Sequence, residues 1–162
     1  ARASGLKQVV FTTGRRTERF AQNLWPRLPE ESFVQIGDFF ARSMAMAAGH
    51  GFETVTLAIM FGKAVKMAQK IPHTHARSAR MTLKALSRWA QERTGDSDLA
   101  GRIADANTAR HAFAYIKDDY PDIIEKVGRE VVRAADHFAG GNIRVGAVIF
   151  DFDGGVKFKA VR

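Results

Sequence analysis

Thr12-Thr13-Gly14-Arg15, Gln35 with Gly37-Asp38, Gly62-Lys63 and His73-Thr74-His75 are where this chain gathers hydroxyls, glycines, cations, a carboxylate and imidazoles. Two hydroxyls, a permissive glycine and two arginines at the start of a helix suit an anion, because free backbone N–H groups and the helix dipole converge there. The same residues also make a tight strand-to-helix turn with Thr13 as N-cap. Gly62-Lys63 offers close backbone approach and a point charge. The phosphate loop G-x-x-x-x-G-K-[ST] needs an earlier glycine and a following Ser or Thr, and both are absent here, which excludes nucleoside triphosphate binding by that route. As an exposed loop lysine, Lys63 is expected to matter for binding and little for stability. His73 and His75 are two residues apart and cannot share a helix face, so a helical metal pair is excluded and no metal site is expected. A loop can present them to orient a substrate or relay a proton, or they can simply flank a helix cap.

The first three groups each end a short apolar run and open a helical pattern. Strands are expected over Lys7–Thr13, Ser32–Ile36 and Thr54–Met60, each followed by a helix. Asp38 is placed to N-cap the second helix, with Phe40, Met44 and Ala47 buried. Pro72 ends the third helix, and a helical block runs from His75 to Gly140, with Leu83, Leu86 and Ala90 opposite a stripe of Arg77, Arg80, Lys84 and Arg88. Val145–Phe150 reads as a fourth buried strand and Val156–Val161 as an antiparallel edge strand after Asp153-Gly154-Gly155.

The order βαβαβ, helices, ββ predicts a single α/β domain over 1–162. It would be a three-layer α/β/α sandwich with a mostly parallel four-stranded sheet in order 2-1-3-4, plus a C-terminal antiparallel edge hairpin. Leu6–Thr13, apolar on both faces, is expected at its centre. All the glycine-bearing loops would then lie along one sheet edge, where open α/β folds take ligands. Ala1–Leu6 reads as the tail of a helix, so an N-terminal portion is expected to precede it.

With 162 residues and 46% hydrophobic content, the chain can bury a core of its own. The absence of cysteine excludes disulfides, thiolate metal sites and a cysteine nucleophile, and favours a reducing, cytoplasmic setting. No apolar run is long enough to span a bilayer, so no membrane partner is expected. A net charge of +8 points to anionic partners such as nucleic acid or a polycarboxylate. No G-x-G-x-x-G occurs.

Val148-Ile149-Phe150-Asp151-Phe152-Asp153-Gly154 looks like the first motif of haloacid-dehalogenase-type phosphatases, in which the first Asp is a nucleophile. Gly155 stands where that family has Thr, and only seven residues follow it. A β-hairpin turn accounts for Asp-Gly-Gly without chemistry.

Thr12-Thr13-Gly14 with Glu18-Arg19-Phe20-Ala21, then Val34 through Phe39, Gly62-Lys63 with Lys66-Met67-Ala68, and His73-Thr74-His75 together resemble the C-terminal half of the CbiD family. These are the cobalt-precorrin-5B C1-methyltransferases of anaerobic cobalamin biosynthesis. The resemblance implies a missing N-terminal domain, S-adenosylmethionine as methyl donor without the usual glycine loop, and cobalt only as part of the substrate. It also implies an anionic tetrapyrrole held by a cationic rim from Arg15, Lys63, Arg77 and Arg80, with Asp38 or His75 orienting it or accepting a proton. Met60-Phe61 departs from the more polar residues expected there. A basic nucleic-acid-binding module using the Arg77–Arg88 stripe is the alternative, with a phosphatase behind it; a homo-oligomer is compatible with either.

Overall fold

The computed structural model describes residues 5–75 and 79–161; Arg77 lies outside the described residues, as does the side chain of Arg80. Five strands, β1 (Gln8–Thr12), β2 (Phe33–Gln35), β3 (Thr54–Met60), β4 (Arg144–Phe150) and β5 (Val156–Ala160), form one sheet in the order β2-β1-β3-β4-β5. The first four are parallel and β5 pairs antiparallel to β4. The expected topology therefore holds, with one correction. β1 is an interior strand, but the middle of the sheet is β3, whose first six residues are all buried. Adding β5 at one side moves the centre one strand away from β1.

Side-chain alternation divides the sheet into two faces. Val9 and Phe11 of β1, Val55, Leu57 and Ile59 of β3, and Val145, Ala147 and Ile149 of β4 enter the larger core. That core is roofed by α2 (Phe40–Gly49), α3 (Phe61–Ala68) and α7 (Pro121–Ala139), with α4 (Ala79–Thr94), α5 (Ser97–Ala104) and α6 (Ala109–Ile116) packed beyond them. Val10, Ala58, Val148 and Phe150 face the other way, against α1 (Arg15–Leu24) and its Ala21. The three layers are thus unequal, with one α-helix of the described residues on one face and six on the other.

α7, the longest helix among the described residues, carries apolar residues at helical spacing. Pro121 starts it, Gly140 closes it in the left-handed conformation, and Ile124, Val127, Val131 and Ala134 are buried. Burial of each such aliphatic side chain is worth about 1.5–3 kcal/mol. Gly128 on the same helix lets it settle onto β5, since a Cβ there would lie 2.4 Å from the Phe158 ring. Phe61 is likewise fully buried and stacks 4.6 Å from Phe113, which gives the apolar Met60-Phe61 pair a packing role.

Two expected caps are not made. α2 begins at Phe40 with Phe39 at the cap position and no side-chain hydrogen bond; Asp38 turns away to other partners. α1 begins after Gly14, and Thr17, not Thr13, supplies the hydroxyl at its start: Thr17 Oγ1 accepts from Thr13 N–H at 3.1 Å and donates to Gly14 O at 2.8 Å. A side chain inside the first turn has replaced the usual preceding one. No helix of the described residues is long and apolar enough to cross a membrane.

Candidate functional site

Parallel pairing of β1–β4 puts the segments after Thr12, Gln35, Met60 and Phe150 on one edge of the sheet. Lys63, on the first turn of α3, ties three of them. Its Nζ donates to Thr13 O and Gly37 O, each at 3.1 Å, and lies 3.1 Å from Asp38 Oδ1. Gly37 adopts φ +57°, a conformation costly for any residue with a Cβ, and its carbonyl is one of the two that Lys63 binds. Lys63 and Asp38 side chains are each 29% exposed. Lys63 is therefore a staple holding the edge together, which corrects the expectation of a free, exposed loop cation.

The histidine loop joins the same cluster. Thr74, 1% exposed, donates its hydroxyl to Asp38 Oδ1 at 3.1 Å and its N–H to Asp38 O at 3.0 Å. Lys66, one turn after Lys63, donates to the carbonyls of Thr74 (3.1 Å) and His75 (3.0 Å). Asp38, Gly62, Lys63, Lys66, Thr74 and His75 then line one pocket of about 540 Å³, walled across from them by Met60, Thr108, Ala109 and Phe152. Two ammonium groups stand against one carboxylate there.

Burial pushes the Asp38 carboxyl up, but hydrogen bonding and charge from Lys63, the Thr74 hydroxyl and the His75 charge outweigh it, so its pKa lies below the usual carboxylate value. Asp38 is an anion at neutral pH. Lys66 is held below the usual lysine value, first by burial and then by the Lys63 charge, with Asp38 opposing.

Not all of the expected site residues meet. The Thr12 side chain is fully buried and its hydroxyl has no partner, so it is removed from the rim. Its alternation with Phe11 directs it to the α1 face of the sheet. Arg15 is exposed on α1, and Gln35 pairs with Glu18 and lines the separate groove between β2 and α2, so neither is in the pocket's lining. His73 is exposed and packs edge-on against Phe39 with ring centroids 5.0 Å apart. Lys66 and Phe152 were not expected. The spacing of Lys66 from Lys63 is a helical i, i+3 and legible in advance, whereas Phe152 reaches the pocket only because β4 lies beside β3.

Asp151 forms a turn. Its Oδ1 accepts from the N–H groups of Asp153 (2.9 Å) and Gly155 (2.7 Å). Trp89, the aromatic that follows Arg88 of the basic stripe, is 7% exposed within the core and offers no platform for a base. Among the described residues no group of His, Asp or Glu is arranged to hold a metal ion.

A family model described as CbiD, C-terminal domain, matches residues 73–160. The chain belongs to the CbiD family. A cobalt-precorrin-5B C(1)-methyltransferase of Nitratidesulfovibrio vulgaris is 38% identical over 156 residues, 95% of this chain and 40% of that protein. Proteins of the same name from Salinispora tropica and Geobacillus thermodenitrificans are 36% and 31% identical, over 99% and 100% of this chain and 43% and 44% of theirs. This CbiD-family chain thus spans less than half the length of these curated relatives. No solved structure matches it.

Proposed function

We propose that this chain is the C-terminal part of a two-domain, cytoplasmic cobalt-precorrin-5B C1-methyltransferase, and that the pocket at the C-terminal edge of its sheet faces the macrocycle. The observation that carries the reading is the convergence of Lys63, Asp38, Thr74, Lys66 and His75, from three separate parts of the chain, on one pocket in a protein whose relatives bear that name. A tetrapyrrole with acetate and propionate arms suits a pocket with two ammonium charges to one carboxylate, and such a ring needs a second wall from the N-terminal part.

The methyl donor in this proposal is S-adenosylmethionine, which supplies a methyl group on a sulfonium cation. An ionised carboxylate suits a cation of that kind, and Asp38 provides one in the pocket; Phe152, whose ring the Arg110 guanidinium covers at 4.6 Å, serves as a wall. Asp38, kept anionic by Lys63, orients substrate without needing a proton of its own. The exposed imidazole of His75 is the group placed to take one up. Methyl transfer asks chiefly for alignment of the methyl with the ring carbon, so the staple at Lys63 serves the chemistry by fixing the loops.

The test is conversion of cobalt-precorrin-5B by the full-length enzyme with S-adenosylmethionine, read as a one-methyl mass gain. Asp38→Asn and His75→Gln should each slow it by about tenfold or more. Wild-type rates in both variants would remove this pocket from the reaction.

A further inference from the structure

Single exposed apolar side chains are ordinary, but a cluster marks a contact face. Among the described residues, the large apolar side chains left exposed are Val34, Phe39, Met46, Val156 and Val161. The first three line one groove of about 480 Å³ between β2 and α2, floored by Val9, Phe11 and Ile36. Phe39 is 56% and Met46 50% exposed, although Met44 on the same helix is fully buried. Among the described residues the sheet ends at β2, which pairs with β1 alone.

The two ends of the groove lie at different places. One reaches Phe52, whose neighbour Glu53 pairs with Lys7 at 2.7 Å just before β1, so the chain enters the fold beside it. The other reaches Phe39, next to Asp38 and against His73. A part of the longer protein joined ahead of this chain is therefore tethered near the mouth of the groove. Attachment to the chain there gives it a high effective concentration over any free partner.

We infer that this groove seats an apolar surface of the N-terminal part of the longer protein, covering Val34, Phe39 and Met46. The inference rests on the two-domain reading above. The curated relatives supply the occupant: this chain matches only 40–44% of their length, and the matching model is that of a C-terminal domain. Docking at Phe39 would bring that part to the rim of the pocket through the Phe39–His73 contact.

Met46 is its own probe, with Met44 as the buried control. The 162-residue chain and the longer protein are each treated with dilute hydrogen peroxide, and sulfoxide at the two methionines is followed by mass spectrometry. In the 162-residue chain Met46 should oxidise about tenfold faster than Met44, and in the longer protein it should slow towards Met44. Phe39→Asp in the longer protein, checked for folding by circular dichroism, should restore fast oxidation at Met46. Equally fast oxidation of Met46 in both proteins would overturn the inference. So would a self-associated 162-residue chain in which Met46 is already protected and Met46→Asp yields monomer, since the occupant would then be a second copy. Tetrapyrrole binding, followed by absorbance on the same longer protein, separates the two readings. Binding with Met46 still exposed defeats the docking alone, whereas protection of Met46 without binding upholds the docking and defeats the proposed substrate.

Discussion

Lys63 Nζ lies 3.1 Å from Asp38 Oδ1, and the same ammonium group holds the carbonyls of Thr13 and Gly37. One side chain on α3 thereby fixes the loops that follow β1 and β2. Lys63→Ala should cost about 2–4 kcal/mol, since it strips charge-assisted hydrogen bonds from two part-buried carbonyls and leaves Asp38 without its cation. Thermal unfolding of the 162-residue chain checks this; an unchanged melting temperature would show that the staple is unnecessary.

Acid should weaken the protein through the same residue. Asp38 and Glu130 both have pKa values lowered below their ordinary 3.8 and 4.5 in the folded state. For both, burial acts upwards and is outweighed, at Asp38 by Lys63, Thr74 and His75 and at Glu130 by Lys126 and Arg133. Their stabilisation is complete above those ordinary values and is lost as pH falls through the lower folded ones. Denaturant titrations from pH 6 downwards to about pH 2 should show stability falling below about pH 4, and Asp38→Asn should shrink the drop.

Thr74→Val keeps the shape of a side chain that is 1% exposed but removes the hydroxyl donated to Asp38. It should cost about 0.5–1.5 kcal/mol and move the Asp38 carboxyl up towards its ordinary value, as followed by NMR titration.

How much of this site was legible follows from where its partners lie. Residue type and loop position singled out Asp38, Lys63 and His75, because a polar residue after an apolar run is a local signal. Their mutual arrangement was not legible. Thr13 and Gly37 are 50 and 26 positions from the lysine that binds them, and no periodicity spans such a gap.

Asp151→Asn should leave methyl transfer by the full-length enzyme within about threefold, because an amide oxygen can still accept from the turn N–H groups. Asp151→Ala should lower stability by about 1 kcal/mol by leaving those donors unpaired. A loss of orders of magnitude in the Asn variant would make Asp151 a reacting group after all.

Gly128→Ala should destabilise by about 1–3 kcal/mol, since the new Cβ would meet the Phe158 ring at 2.4 Å. Pairing it with Phe158→Leu should recover part of the loss in chemical denaturation; no recovery would mean that the strain lies in the helix itself.

The order of strands and helices came from the sequence alone, because alternation in strands, helical spacing, Pro121 and Gly140 act within a few residues of one another. So did the placing of the loops on one edge, since parallel strands joined by helices allow little else. The tertiary structure alone decided the rest. It buried Thr12, turned Asp38 from helix cap to ion pair, and made Lys63 a staple, because each outcome depends on which segment the folded sheet brings alongside. A side chain takes the partner that best satisfies its charge, and that partner exists only once the distant loops have met.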